Sequence, residues 1–276
     1  MKHALAWRAG VETVNRGLRN MTANSSSSYE AQASVKDRLR PYVWTLRNGL
    51  RTIRFLFGRF PRECSVCGYK GRFFAYGNPL SLGINIDSLC PRCLSHERHR
   101  LLALFDKERD LFSGRSILHF APEKGLANYV RSKKPSRYVT CEYGGRDADL
   151  DINIENIKLN DGEFDMIVCC HILEHVDDSL AIPELYRILR KGGQLIAMTP
   201  VIEGWQDTFE DRSKQRTTED RILYFNQHDH LRFFGSDLRE RLRQANFEVE
   251  EYTAVEPEVS KYGLIRGEKV FLCRKP

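Results

Sequence analysis

Four cysteines stand in two Cys-x-x-Cys pairs, Cys64 with Cys67 and Cys90 with Cys93, and twenty-two residues separate the pairs. Each such turn brings two thiolates to one point, and two turns supply the four soft donors that a tetrahedral zinc ion takes. Gly68 and Gly71 suit the first knuckle, Pro91 suits the second, and a hairpin spans the gap. Four protein ligands leave no coordination position open, so the expected zinc is structural. His96 and His99 lie close by but are superfluous as ligands. Eight cysteines in all might suggest disulfides, yet paired Cys-x-x-Cys turns in a reducing compartment are more often metal ligands. Histidine is the second reactive type, because imidazole exchanges a proton near neutral pH. His171 and His175 are one helical turn apart, and Gln227-His228-Asp229-His230, if extended, presents both of its histidines on one side.

Regular elements must position these side chains. A helix is expected from Ser95, a good N-cap, with Leu101, Leu102, Leu104 and Phe105 on its apolar side. Residues 116–120, 138–141 and 164–170 read as buried strands, and 182–189 as a helix closed by Lys191-Gly192-Gly193. Residues 194–199 form the next strand, 237–245 a helix and 270–273 a closing strand. This alternation predicts an α/β, doubly wound, mostly parallel sheet covered on both faces. In such a sheet ligands bind beyond the carboxyl ends of the strands. The first strand leads into Phe120-Ala121-Pro122-Glu123-Lys124-Gly125, and the second ends at Cys141-Glu142. A carboxylate at that second place can accept both hydroxyls of a ribose.

The run from Phe164 through His171-Ile172-Leu173-Glu174-His175, followed by Leu185-Tyr186-Arg187-Ile188-Leu189-Arg190-Lys191-Gly192-Gly193, carries a family resemblance. It resembles the fourth and fifth motifs of class I S-adenosylmethionine-dependent methyltransferases, the type 11 group, over about residues 115–275. The resemblance implies a seven-stranded Rossmann-like sheet with S-adenosylmethionine as cofactor. It places Phe120, Ala121, Glu123 and Gly125 around the methionine part and Glu142 on the ribose. Asp151 would meet the adenine amino group, Ile152 would pack on the ring, and Cys170 and His171 would lie near the sulfonium and the acceptor. The family's glycine-rich first motif is altered: His119, Ala121 and Glu123 replace most of it, and Gly125 remains. A His-x-Ala-Pro-Glu form occurs in related methyltransferases, so altered contacts are expected rather than lost binding. For a hydroxyl acceptor a base must remove the proton. His171 is the first candidate, with His228 and His230 as the alternatives. Some methyltransferases that resemble this pattern hold a divalent ion on an acid-x-x-Glu-His run. Here His171 stands in the acid's place, so Glu174 and His175 are not expected to be ligands.

The 276 residues, 41% hydrophobic and 29% charged, suit a large domain preceded by smaller parts. The expected division is a disordered basic arm (1–38), an amphipathic helix (39–61), a zinc module (62–94) and the methyltransferase domain (95–276). Val43, Leu46, Leu50, Ile53, Phe57 and Phe60 recur at helical spacing. That face either covers the protein's own body or gives residues 42–60 peripheral contact with an anionic membrane. Residues 1–20 carry scattered arginines and no apolar core, so no secretory signal is expected and a cytoplasmic location is the default. Residues 1–60 carry eleven Lys/Arg against three acids, a net of +8, whereas the remainder is −2. A near-neutral body argues against gripping nucleic acid along its length. The favoured acceptor is therefore a small molecule or glycan, methylated at oxygen. An RNA acceptor, supported by the basic arm and the cations His96, Arg98, His99 and Arg100, comes second. A non-enzymatic cofactor-binding protein comes third.

Overall fold

The computed structural model describes residues 56–77, 84–145 and 148–276, together with 39, 40, 42–46, 49 and 53. The expected basic arm, 1–38, lies outside the described residues. Two compact units divide the chain at residues 52 and 53. In the first, residues 39, 40, 42–46 and 49 are helical. No helix among the described residues is long and apolar enough to cross a membrane.

The second unit opens with two small antiparallel ribbons. Strand β1 (Pro61–Glu63) pairs with β2 (Lys70–Arg72), and β3 (Phe74–Tyr76) pairs with β4 (Asn85–Leu89). Cys64 follows β1 and Cys90 follows β4, so the two ribbons deliver the two cysteine turns. Helix α1 (Glu97–Arg109) comes next. It starts later than Ser95 because that hydroxyl is drawn into the knuckles, 3.3 Å from the Cys64 sulfur and 3.2 Å from that of Cys93. His96 takes over as the cap.

A seven-stranded sheet follows, ordered β10-β11-β9-β8-β5-β6-β7. Its strands are β5 (Ser116–Phe120), β6 (Arg137–Glu142), β7 (Leu150–Asp151), β8 (Phe164–Cys170), β9 (Leu189–Met198), β10 (Glu248–Tyr252) and β11 (Val270–Arg274). All neighbours run parallel except β11, antiparallel to both β9 and β10. Every residue of β5 is buried, as a central strand covered on both faces requires. Alternation along the strands feeds two cores. Leu118, Ile167 and Leu195 face α3 (Asp178–Ile188) and α5 (Leu238–Gln244) through Leu185 and Leu242. Ile117, Met166 and Ile196 face α1 and α2 (Lys124–Ser132) through Leu102, Phe105 and Val130. The order reverses between β5 and β8, which opens a crevice at their carboxyl ends.

Helix α3 starts well before the expected residue 182, because Asp177 caps it by accepting from Ser179 N at 3.1 Å. It ends at Ile188, and Lys191-Gly192-Gly193 lies inside the long strand β9, with Gly192 left-handed at φ 76°. Two short helices, α4 (Thr218–Phe225) and α6 (Glu258–Tyr262), escaped the sequence reading.

Arg100 fastens the cysteine module to the sheet domain. It is fully buried and donates to Ser88 O and Ser95 O at 2.7 and 2.8 Å, and to Tyr262 O and Gly263 O at 2.7 Å each. Its guanidinium carbon sits 4.5 Å from the centre of the Phe73 ring.

Candidate metal centre and cofactor crevice

The two cysteine turns are built alike. Gly68 N donates to Cys64 O at 2.8 Å, and Leu94 N donates to Cys90 O at 2.9 Å. Gly68 and Leu94 take the same left-handed conformation, φ 73° and 59°. The Cys64 and Cys93 sulfurs are 3.7 Å apart, as are those of Cys67 and Cys90, and all four lie within 4.8 Å of one another. Zinc–sulfur bonds of about 2.3 Å in a tetrahedron set the sulfurs about 3.8 Å apart, so the cluster fits that ion. Hydrogen bonds from Cys90 and Cys93 hold the Cys64 thiol well below its ordinary value, while burial pushes Cys67 up to about 11. A divalent cation is what would let all four ionise together.

The crevice beyond β5 and β8 gathers side chains from five segments. Ala121 opens the loop after β5 in a left-handed conformation (φ 43°), its N–H donating to Cys141 O at 2.8 Å. Glu123 is bound by Arg98 and His99, both from the first turn of α1. Burial alone would raise its carboxyl, but the His99 hydrogen bond and the His99 and Arg98 charges hold it well below the usual range. Glu142 ends β6 exposed, and Ile152 beyond β7 is buried. Asp151 accepts from Gly144 N at 2.8 Å, which closes the turn between those strands. Phe120 and Gly125 are buried. A side chain at Gly125 would come within 2.8 Å of Cys93 O, so the residue is glycine for packing against the second knuckle.

His171 follows β8 in a left-handed conformation, φ 55°, strain of the kind that gathers at functional sites. Its Nδ1 is 3.3 Å from Glu174 Oε1 and its Nε2 3.7 Å from Glu268 Oε1. Burial opposes charge on the ring, but the two glutamates outweigh it and raise its pKa to about 9. Glu174 is correspondingly depressed to about 2, against the pull of burial, by His171. Acting as a base requires the neutral ring, which this pairing disfavours. Cys170 ends β8, its thiol pushed up by burial and subject to the charges of Arg98, Glu123, Glu268 and Glu174.

His228 and His230 are not side by side on an extended segment. Residues 228 and 229 form a turn, with His230 N approaching Gln227 O at 3.4 Å, and this breaks the alternation the expectation relied on. Instead His230 stacks edge-on with His175, ring centres 4.7 Å apart. Arg98, His99 and Glu268 are additions that the sequence reading did not assign to this crevice. Glu268 sits in a loop before β11 without a motif, and Arg98 and His99 read as part of a cation cluster.

A parallel sheet that reverses at β5, with a crevice at the strand ends and an exposed acid closing the neighbouring strand, defines an α/β protein that binds a nucleoside cofactor. The sequence profile of a methyltransferase domain matches residues 88–252, more than half of the chain, and the chain belongs to that family. It is an S-adenosylmethionine-dependent methyltransferase. No curated protein sequence matches the chain. Among solved structures it is similar to an S-adenosylmethionine-dependent methyltransferase of Thermotoga maritima, at 24% identity and TM-score 0.41, over 64% of this chain and 91% of the other. It is also similar to one of Mesorhizobium loti, at 13% identity and TM-score 0.45, over 63% of this chain and 96% of the other.

Proposed function

We propose that the enzyme methylates an oxygen of a small molecule or glycan and carries a structural zinc on Cys64, Cys67, Cys90 and Cys93. The observation that carries the acceptor class is the charge of the crevice. Three carboxylates, Glu123, Glu174 and Glu268, stand against the two cations Arg98 and His171, so the crevice has no surplus positive charge for a phosphate, while carboxylates accept hydrogen bonds from hydroxyls. Of the cations that support an RNA acceptor, those of the 96–100 cluster are used internally. Arg100 and His99 are buried, and Arg98 binds Glu123. Arg187, Arg232, Arg239 and Arg241 are likewise committed to acids of the domain.

Bound S-adenosylmethionine supplies an activated methyl group on a positively charged sulfur. Glu142 would hold its ribose, Asp151 and Ile152 the adenine, and the loop of Phe120, Ala121, Glu123 and Gly125 its amino-acid end. His171, as an imidazolium, orients the acceptor by donating to it. Val43, Leu46, Ile53, Phe57 and Phe60 are exposed, which supports peripheral contact of residues 42–60 with a membrane surface. The test is transfer of a labelled methyl group from the cofactor into fractionated extracts. Label in small molecules or lipid-linked glycans, stable to ribonuclease, is the expected result; label that ribonuclease releases would overturn the proposal.

A further inference from the structure

A second constellation lies beyond the end of β8, apart from the cysteine cluster. One donor atom from each of Glu174, His175 and His230 lies within 4.8 Å of the other two. The first two come from the single 3-10 turn Leu173–His175, and His230 from the segment after α4. Hydrogen bonds bring the segments together: Leu231 N donates to Glu174 O at 2.9 Å, and the Arg232 guanidinium donates to Leu173 O at 3.1 Å and Val176 O at 2.6 Å. The sequence separation hides this third member, and from the sequence alone Glu174 and His175 are not expected as ligands because His171 stands in the acid's place.

The hydrogen bonds fix what the three groups can offer. His230 Nδ1 is 3.0 Å from Phe225 O, and His175 Nδ1 is 3.3 Å from both Asp229 O and Asp229 Oδ2. Those partners can only accept, so both Nδ1 atoms carry the proton and each Nε2 keeps its lone pair. Metal-binding histidines are held in the same way, with the far ring N–H donated to a carbonyl or carboxylate. Glu174 is almost fully buried. Its Oε2 accepts from Thr199 Oγ1 at 2.8 Å, and its Oε1 faces His171 Nδ1 at 3.3 Å. Two imidazoles, each with its Nε2 left as the ligand atom, and a buried carboxylate therefore share one cluster, with the His171 ring against the carboxylate.

We infer that Glu174, His175 and His230 bind a divalent transition-metal ion. Two imidazole nitrogens and one carboxylate oxygen suit manganese, iron, cobalt or zinc, and three protein ligands leave positions free for water or an acceptor oxygen. The four-thiolate cluster is closed and soft, and this one is open and harder, so an oxygen-seeking ion distinguishes them. His175, with 23% of its side chain exposed, connects the cluster to solvent.

The test uses the full-length protein with its cysteine site loaded with zinc, titrated with Mn2+ and separately with Co2+. Free Mn2+ is followed by electron paramagnetic resonance, and bound Co2+ by its visible spectrum. One added ion per chain is expected in the wild type, with no thiolate-to-cobalt charge-transfer band. His230→Ala and His175→Gln should each weaken it by at least about 100-fold, beyond what loss of an outer-shell partner costs. Zinc content and S-adenosylhomocysteine affinity report folding, and the partly exposed His175 is the position that tolerates substitution if His230→Ala does not fold. Neither ion binding to zinc-loaded wild type, or binding undiminished in a folded His175→Gln protein, would overturn the inference.

Discussion

Arg100→Met removes the charge while keeping much of the volume, and the structure sets the size of the effect. The guanidinium reaches four carbonyl oxygens, those of Ser88, Ser95, Tyr262 and Gly263. Ser95 O keeps a partner in Cys90 N at 3.0 Å, so the variant leaves up to three of the four acceptors short of a donor. Each buried carbonyl deprived of its donor costs about 1–3 kcal/mol, and loss of the contact with Phe73 adds about 1–2. Relief of the desolvation penalty on the buried cation offsets part of this. The net expectation is about 4 kcal/mol, large against the 5–15 kcal/mol that is typical of native proteins. Urea unfolding followed by circular dichroism measures the loss, and zinc release to a chromogenic chelator shows where it falls. Release should quicken, because the carbonyls freed on the module side include Ser88 in β4. Arg100→Lys should rescue little, since a single ammonium cannot span the acceptors. A loss below about 1 kcal/mol with unchanged zinc release would refute the view that Arg100 fastens the module to the domain.

Purified wild type should carry close to one tightly held zinc per chain, and Cys90→Ser should lose it together with much of the soluble yield; metal analysis of a stable, zinc-free wild type would count against the site. Glu142→Ala should weaken S-adenosylmethionine binding by about 2–3 kcal/mol in calorimetry, through loss of two charge-assisted hydrogen bonds. Asp151→Ala should weaken it less while loosening the Gly144 turn. Ala121→Gly should raise stability by up to about 1 kcal/mol, left-handed strain relieved against greater chain entropy; a drop in melting temperature would show that the strain is not there.

The strands of the sheet were legible because a buried parallel strand is apolar along most of its length, as Ser116–Phe120 and Phe164–Cys170 are apart from Ser116, His119 and Asp165. Short amphipathic pieces such as Glu258–Tyr262 were not, since five residues hold too little period to register. The cysteine cluster could be read from spacing, because the chemistry is in the residue type. The histidines could not be grouped: whether His230 meets His228 or His175 depends on a turn closed at Gln227 and a backbone bond to Glu174. Ser95 shows the same limit. As a helix cap it is a good candidate, yet two sulfur atoms recruit its hydroxyl.

The contact at Gly125 bears on how such a chain can be cut or recombined. A module that merely precedes a domain can be exchanged or removed at a linker, leaving the domain whole. Here the carbonyl of Cys93 occupies the space a methyl group at position 125 would need, next to the loop that receives the cofactor. A graft of this methyltransferase domain onto another leader would leave that depression uncovered. Conversely, a related domain with alanine at this position could not accept this knuckle without backbone movement. The cysteine ribbons and the start of α2 must therefore have been refined as one surface, so the boundary drawn from sequence after residue 94 marks a change of chemistry rather than a place where the chain comes apart.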